Sequence, residues 1–72
     1  MDGRLLTAYI RDWLDTLPKE DRVLFIRRYW YGDSVNTLAV ESLRSGAQMA
    51  QKMLNLRRKL KIYLEAKGVD VP

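Results

Sequence analysis

Gln51, Asn55 and Arg58 follow one another at steps of four and three residues in the C-terminal third of this 72-residue chain. Gln48 and Lys59 fall on neighbouring helical positions. The chemistry open to such side chains is hydrogen bonding and charge pairing. A carboxamide pairs bidentately with the adenine edge, and a guanidinium or ammonium pairs with guanine or with phosphate. Covalent chemistry has little to work with. The sequence holds no His and no Cys, so it offers no imidazole base, no thiolate nucleophile, no soft metal site and no disulfide. Asp12, Asp15, Glu20 and Asp21 cluster near one turn, but helix-dipole and solubility roles account for them better than paired-carboxylate catalysis. A non-enzyme without metal or cofactor is expected.

The charge distribution points to a polyanion. Residues 1–43 carry six Lys/Arg against seven Asp/Glu, whereas residues 44–72 carry seven (Arg44, Lys52, Arg57, Arg58, Lys59, Lys61, Lys67) against Glu65 and Asp70. A cationic tract with helical periodicity is the electrostatic footprint of a nucleic-acid binder. A merely solvated helix face is the alternative that charge alone leaves open. No apolar run approaches the roughly 20 residues that span a bilayer, and no signal-peptide pattern opens the chain. The expectation is a soluble, cytoplasmic protein of one domain.

Four helices must position these groups, and no strand pattern competes with them. The first is expected over 3–16, with Leu6, Tyr9, Ile10, Trp13, Leu14 and Leu17 on its inner face. The second spans 18–31: Pro18 suits the first helical position, Glu20 and Asp21 suit the positive end of the dipole, and Gly32 suits a left-handed stop. Its inner stripe is read as Val23, Ile26, Tyr29 and Trp30. Ser34 caps a third helix over 34–43, whose inner face carries Val35, Leu38 and Ala39. Arg44-Ser45-Gly46 breaks the chain, and Ser45 with Gln48 forms a capping box that opens a fourth helix over 46–67. Met49, Met53, Leu56, Leu60 and Tyr63 give that helix a narrow apolar seam, Gly68 ends it, and 69–72 is read as a frayed tail.

A short helix, a tight break and a longer basic helix make a helix-turn-helix pattern within an all-α, four-helix domain over 1–68. In that arrangement the second helix of the pair enters the major groove with the N-terminal part of its outer face. With Met49 turned to the core, Gln51, Asn55 and Arg58 lie roughly opposite, and Gln48 and Lys59 lie on one flank. Arg57, Arg58, Lys59 and Lys61 come later along the helix and suit phosphates, as Arg44 does at its entrance. Leu54 also points outward, where a single exposed leucine needs no special role.

The segments Leu14-Asp15-Thr16-Leu17-Pro18-Lys19-Glu20-Asp21-Arg22, Arg28-Tyr29-Trp30-Tyr31-Gly32-Asp33-Ser34, Leu38-Ala39 and Arg57-Arg58-Lys59-Leu60 resemble, in order and spacing, region 4 of bacterial sigma factors of the extracytoplasmic-function type. The resemblance covers roughly residues 10–66. It implies a four-helix domain that reads the −35 promoter element on double-stranded DNA and docks on the flap of core RNA polymerase, with an anti-sigma factor as a further partner. By position it places Gln48, Gln51, Lys52 and Asn55 at the bases, and Arg28, Ser45, Arg57 and Arg58 on the backbone. The promoter-melting region 2 of that family is not among these residues, so the resemblance implies a fragment of a longer sigma-like protein, with a stand-alone relative as the alternative.

One position departs from the family pattern. Where the family commonly has Leu-Gly at the turn, this chain has Ser42-Leu43. A leucine in the left-handed conformation costs about 1 kcal/mol or more, so either the turn uses Arg44-Ser45-Gly46 differently or the helices cross at another angle. The departure, with exposed Leu54 and Ile62, favours a competing reading: the same fold as a protein-interaction adaptor without base reading. A membrane-surface helix is a more distant rival, because the seam of the last helix is too narrow for it.

Overall fold

Helix ends fall where the backbone's unpaired groups find partners. The computed structural model describes residues 3–70. It contains α1 (Gly3–Asp15), α2 (Lys19–Tyr29), α3 (Val35–Glu41) and α4 (Gly46–Ala66), with no strand among the described residues. The all-helical, four-helix expectation is met, and each helix is slightly shorter than the sequence reading. The α1 end tightens into a turn in which Thr16 N–H and Oγ1 both donate to the Trp13 carbonyl, at 3.0 and 2.6 Å. Pro18 is the N-cap of α2 (φ −54°, ψ 150°), not its first helical residue.

Two helices end in the same motif with different residues. At the end of α4, Val69 N–H donates to Leu64 O and Gly68 N–H to Glu65 O, each at 3.0 Å, with Gly68 at φ +82°. This is a Schellman closure, in which the left-handed residue is most often glycine. At the end of α3, Arg44 N–H donates to Ala39 O at 2.8 Å and Leu43 N–H to Val40 O at 3.2 Å, with Leu43 at φ 58°. The turn therefore closes on a left-handed residue that is a leucine, not a glycine. Leu43 is 95% exposed, so burial does not offset its backbone strain. Val69 N–H belongs to the α4 cap, residues 69 and 70 carry no secondary structure, and residues 71 and 72 of the expected tail lie outside the described residues.

The core is built by one cluster from all four helices: Trp13, Leu24, Phe25, Leu38, Ala39, Met49, Met53 and Leu56. Trp13 meets Phe25 edge to face, with ring centroids 5.0 Å apart at 74°. The seam of α4 is covered as expected, with Leu60 and Tyr63 partly buried behind the cluster and Leu64 also buried. On α3, Leu38 and Ala39 are buried, and small Ala39 allows α4 close approach. The 21-residue α4 is about 31 Å long from its helical rise. It accounts for most of the 37 Å long axis and touches each of the other three helices.

The inner face of α2 differs from the sequence reading. Leu24 and Phe25 are buried, whereas Val23 and Tyr29 are each 44% exposed and Trp30 is 81% exposed. Val23-Leu24-Phe25-Ile26 is an unbroken apolar run, covering more than half the helix circumference, so periodicity could not select one face. The helix in fact presents two apolar faces. One meets α3 and α4; the other, with Ile26, Tyr29 and Trp30, lines an open groove.

Candidate nucleic-acid interface

The entrance to α4 is fixed by a reciprocal cap. Ser45 Oγ accepts from Gln48 N–H at 3.1 Å, and Gln48 Oε1 accepts from Ser45 N–H at 2.9 Å. The box satisfies two N-terminal backbone donors and orients the first turn. It also commits Gln48 Oε1 to the cap, on a residue that is otherwise exposed. Gly46 sits so close to α3 that a Cβ there would stand 3.2 Å from Asn36 Oδ1.

One turn further on, Gln51 and Asn55 are both exposed, and Gln51 Nε2 donates to Asn55 Oδ1 at 3.0 Å. Arg58 and Lys59 are exposed beyond them. None of Arg57, Arg58, Lys59 and Lys61 forms an ion pair among the described residues. The amide-and-cation side of α4 thus faces outward while its methionine-leucine seam is covered.

Four of the nominated residues stand differently. Lys52 Nζ lies 2.6 Å from Asp21 Oδ1, with side chains only 26% and 14% exposed. Arg44 pairs with Glu20, and its Nη1 is buried against that carboxylate. The Arg44 hydrogen bond, then its charge, holds the Glu20 carboxyl below the ordinary range. Arg28 Nη1 reaches the Asp33 carbonyl at 3.4 Å, and its guanidinium lies 5.7 Å from the Tyr29 ring centre. Arg57 is turned roughly 160° around α4 from Asn55 by helical geometry, and it lines the apolar groove instead. The structure therefore brings Gln48, Gln51, Asn55, Arg58 and Lys59 to one side, holds Lys52, Arg44 and Arg28 against the body, and sends Arg57 to another face.

Arg27 was not singled out in the sequence. Its Nε donates to Asp33 Oδ2 at 2.7 Å while Nη1 donates to Glu41, so one guanidinium ties α2 to the loop after it and to the end of α3. The Glu41 bond, then the Asp33 bond, raises the Arg27 pKa, and Arg27 lowers that of Glu41. Of the four acids near the first turn, Asp15 lies 3.7 Å from Arg22, while Glu20 and Asp21 hold Arg44 and Lys52. Among the described residues no group of three or more His, Cys, Asp or Glu could hold a metal ion, and no helix is long and apolar enough to cross a membrane.

The apolar groove, about 670 Å³, runs between α1, α2 and α4. Ile10, Leu14, Phe25 and Leu60 form its floor, Trp30 and Tyr31 are exposed along it, and Arg11, Arg22 and Arg57 also line it. Comparison with protein-family models, curated proteins and solved structures finds no match to this chain.

Proposed function

We propose that this chain binds double-stranded DNA through the outer face of α4, as a helix-turn-helix module of the sigma region 4 kind that recognises a −35 promoter element and docks on core RNA polymerase. The observation that carries the reading is the joint exposure of Gln51 and Asn55, followed by exposed Arg58 and Lys59, on a helix whose opposite seam is buried. Amides near the start of a groove-entering helix read base edges, and cations further along meet phosphates. The α3–turn–α4 arrangement and the reciprocal cap at Ser45 support the same reading.

Within it, Gln51 and Asn55 carry base recognition with Gln48 beside them, while Arg58 and Lys59 contact the backbone. Titration of labelled promoter duplex against an unrelated duplex, at about 50 and 200 mM salt, tests it. Binding that weakens steeply with salt and favours particular sequences supports the reading. Affinity that is independent of salt and sequence overturns it.

The groove favours a second reading, a protein-interaction module directed at the polymerase flap or an anti-sigma partner. Its volume and apolar lining suit an inserted side-chain cluster, and exposed Trp30 and Tyr31 are the residue types that anchor interfaces. The two readings use different faces and are compatible.

A further inference from the structure

We propose that Asp21, assisted by Glu20, withholds Lys52 and Arg44 from nucleic acid and so sets the strength and salt dependence of duplex binding. The inference rests on the DNA-binding reading above and adds to it a determinant that lies outside the contact surface.

The seven cations of the basic C-terminal tract are not equivalent. Arg44 immediately precedes the cap of α4, and Lys52 lies in its second turn, so these two stand nearest the end that enters the groove. Gln48, Lys52, Asn55 and Lys59 share one flank of α4, within about 60° of one another by helical geometry. A Lys52 side chain free to move would lie beside the amides. Instead both cations are drawn toward the first turn of α2, where Glu20 and Asp21 also sit at the positive end of the helix dipole.

The two pairs differ in enclosure. Asp21 is the more enclosed carboxylate, 14% exposed beside a Lys52 that is 26% exposed. Moving Lys52 to a phosphate would leave Asp21 charged, largely desolvated and without that partner, and breaking an enclosed pair is costly. Lys52 therefore stays in place when a duplex arrives, and no counterion is released on its account. Glu20 is 56% exposed, so solvent supports it when Arg44 leaves. Without the Asp21 charge, Lys52 becomes an additional phosphate ligand. Each cation that neutralises a phosphate steepens the log–log salt dependence by about 0.9.

The test measures duplex affinity across a salt series for the wild-type chain, Asp21→Asn, Lys52→Gln and the double variant. Asp12→Asn is the control: it makes the same change in net charge at an exposed α1 acid that has no ion pair among the described residues. Asp21→Asn keeps the side-chain shape, and circular dichroism checks that it folds. The expected result is a slope steeper by about 0.9 and affinity higher by about tenfold near 50 mM salt for Asp21→Asn, with much smaller changes for Asp12→Asn. Lys52→Gln alone should leave the wild-type slope nearly unchanged and should cancel the Asp21→Asn gain in the double variant. Equal effects of Asp21→Asn and Asp12→Asn would reduce the phenomenon to net charge and overturn the inference. Weaker binding by a folded Asp21→Asn would make the pair a positioning strut and overturn it as well. In both cases wild-type binding remains, so the DNA-binding reading survives; a wild-type chain that binds no duplex at low salt removes both.

Discussion

Gln51 and Asn55 are joined across one turn of α4 by a 3.0 Å hydrogen bond from Gln51 Nε2 to Asn55 Oδ1. The bond leaves Gln51 Oε1 as an acceptor and Asn55 Nδ2 as a donor, both on exposed residues. Adenine presents the complementary set in the major groove, an N6 donor beside an N7 acceptor, whereas guanine presents two acceptors. The pair is therefore suited to act as one reader. Gln51→Ala and Asn55→Ala are each expected to reduce discrimination against a mismatched base pair by about 1–3 kcal/mol, and the double substitution by less than the sum. Competition binding with single-base-pair variants of the preferred duplex measures this. Equal loss on every sequence would assign both amides to the backbone.

Leu43 and Gly68 occupy equivalent positions in two closures of the same kind, at φ 58° and +82°. The leucine is strained and exposed, so Leu43→Gly removes a steric cost without opening a cavity. It is expected to stabilise the domain by about 1 kcal/mol, less whatever the freer unfolded chain takes back. Gly68→Ala is expected to destabilise by a similar amount. Denaturant unfolding of both variants reads the two signs directly. Stability lost in Leu43→Gly would mean that the leucine side chain makes a contact worth more than its backbone strain.

Much of this architecture was legible from local signals. Ser34, Ser45 with Gln48, Gly32 and Gly68 mark ends because capping is decided within a few residues of chain. The buried seam of α4 was legible because Met49, Met53 and Leu56 recur against polar neighbours. The inner face of α2 was not, since four consecutive apolar residues carry no phase. Nor were the ion pairs. Lys52 meets Asp21 from 31 positions away, and Arg27 meets Asp33 around a glycine turn, so no helical spacing announces either. At the candidate interface, outward direction could be read for Gln51 and Asn55, but which cations were already held could not.

Arg57 and Arg58 are adjacent in sequence, yet the helix turns them about 100° apart, and only Arg57 lines the groove. Replacement of Arg58 by Gln is expected to flatten the salt dependence of duplex binding by about 0.9 and to weaken it on all sequences alike. Arg57→Gln is expected to change the slope far less. The same salt series used for the wild-type chain distinguishes them. Equal slopes for the two variants would bring both guanidiniums to phosphates and the groove edge within reach of DNA.

Acid sensitivity should come from two carboxylates, Glu20 in the first turn of α2 and Glu41 at the end of α3. Glu20 is held below its ordinary pKa of 4.5 chiefly by its hydrogen bond to Arg44, and Glu41 chiefly by its bond to Arg27. A carboxylate whose folded pKa is depressed stabilises the fold at pH above its unfolded value, and that contribution is lost as pH falls through the folded value. The chain has no histidine, so no imidazole titrates in the neutral range. Thermal stability should therefore be nearly flat between about pH 5 and 8 and should fall below about 4.5, where these groups begin to take up protons. Glu41→Gln abolishes the ion pair with Arg27 at every pH. It should lower the melting temperature near neutrality and shrink the further drop on acidification, and Glu20→Gln should do the same through Arg44. Because both carboxylates are open to solvent, each effect is expected to be small and reduced by salt. Melting curves at about pH 3, 5 and 7, with and without added salt, check the sign. An acid drop of wild-type size in the Glu20→Gln, Glu41→Gln double variant would place the sensitivity in other carboxylates.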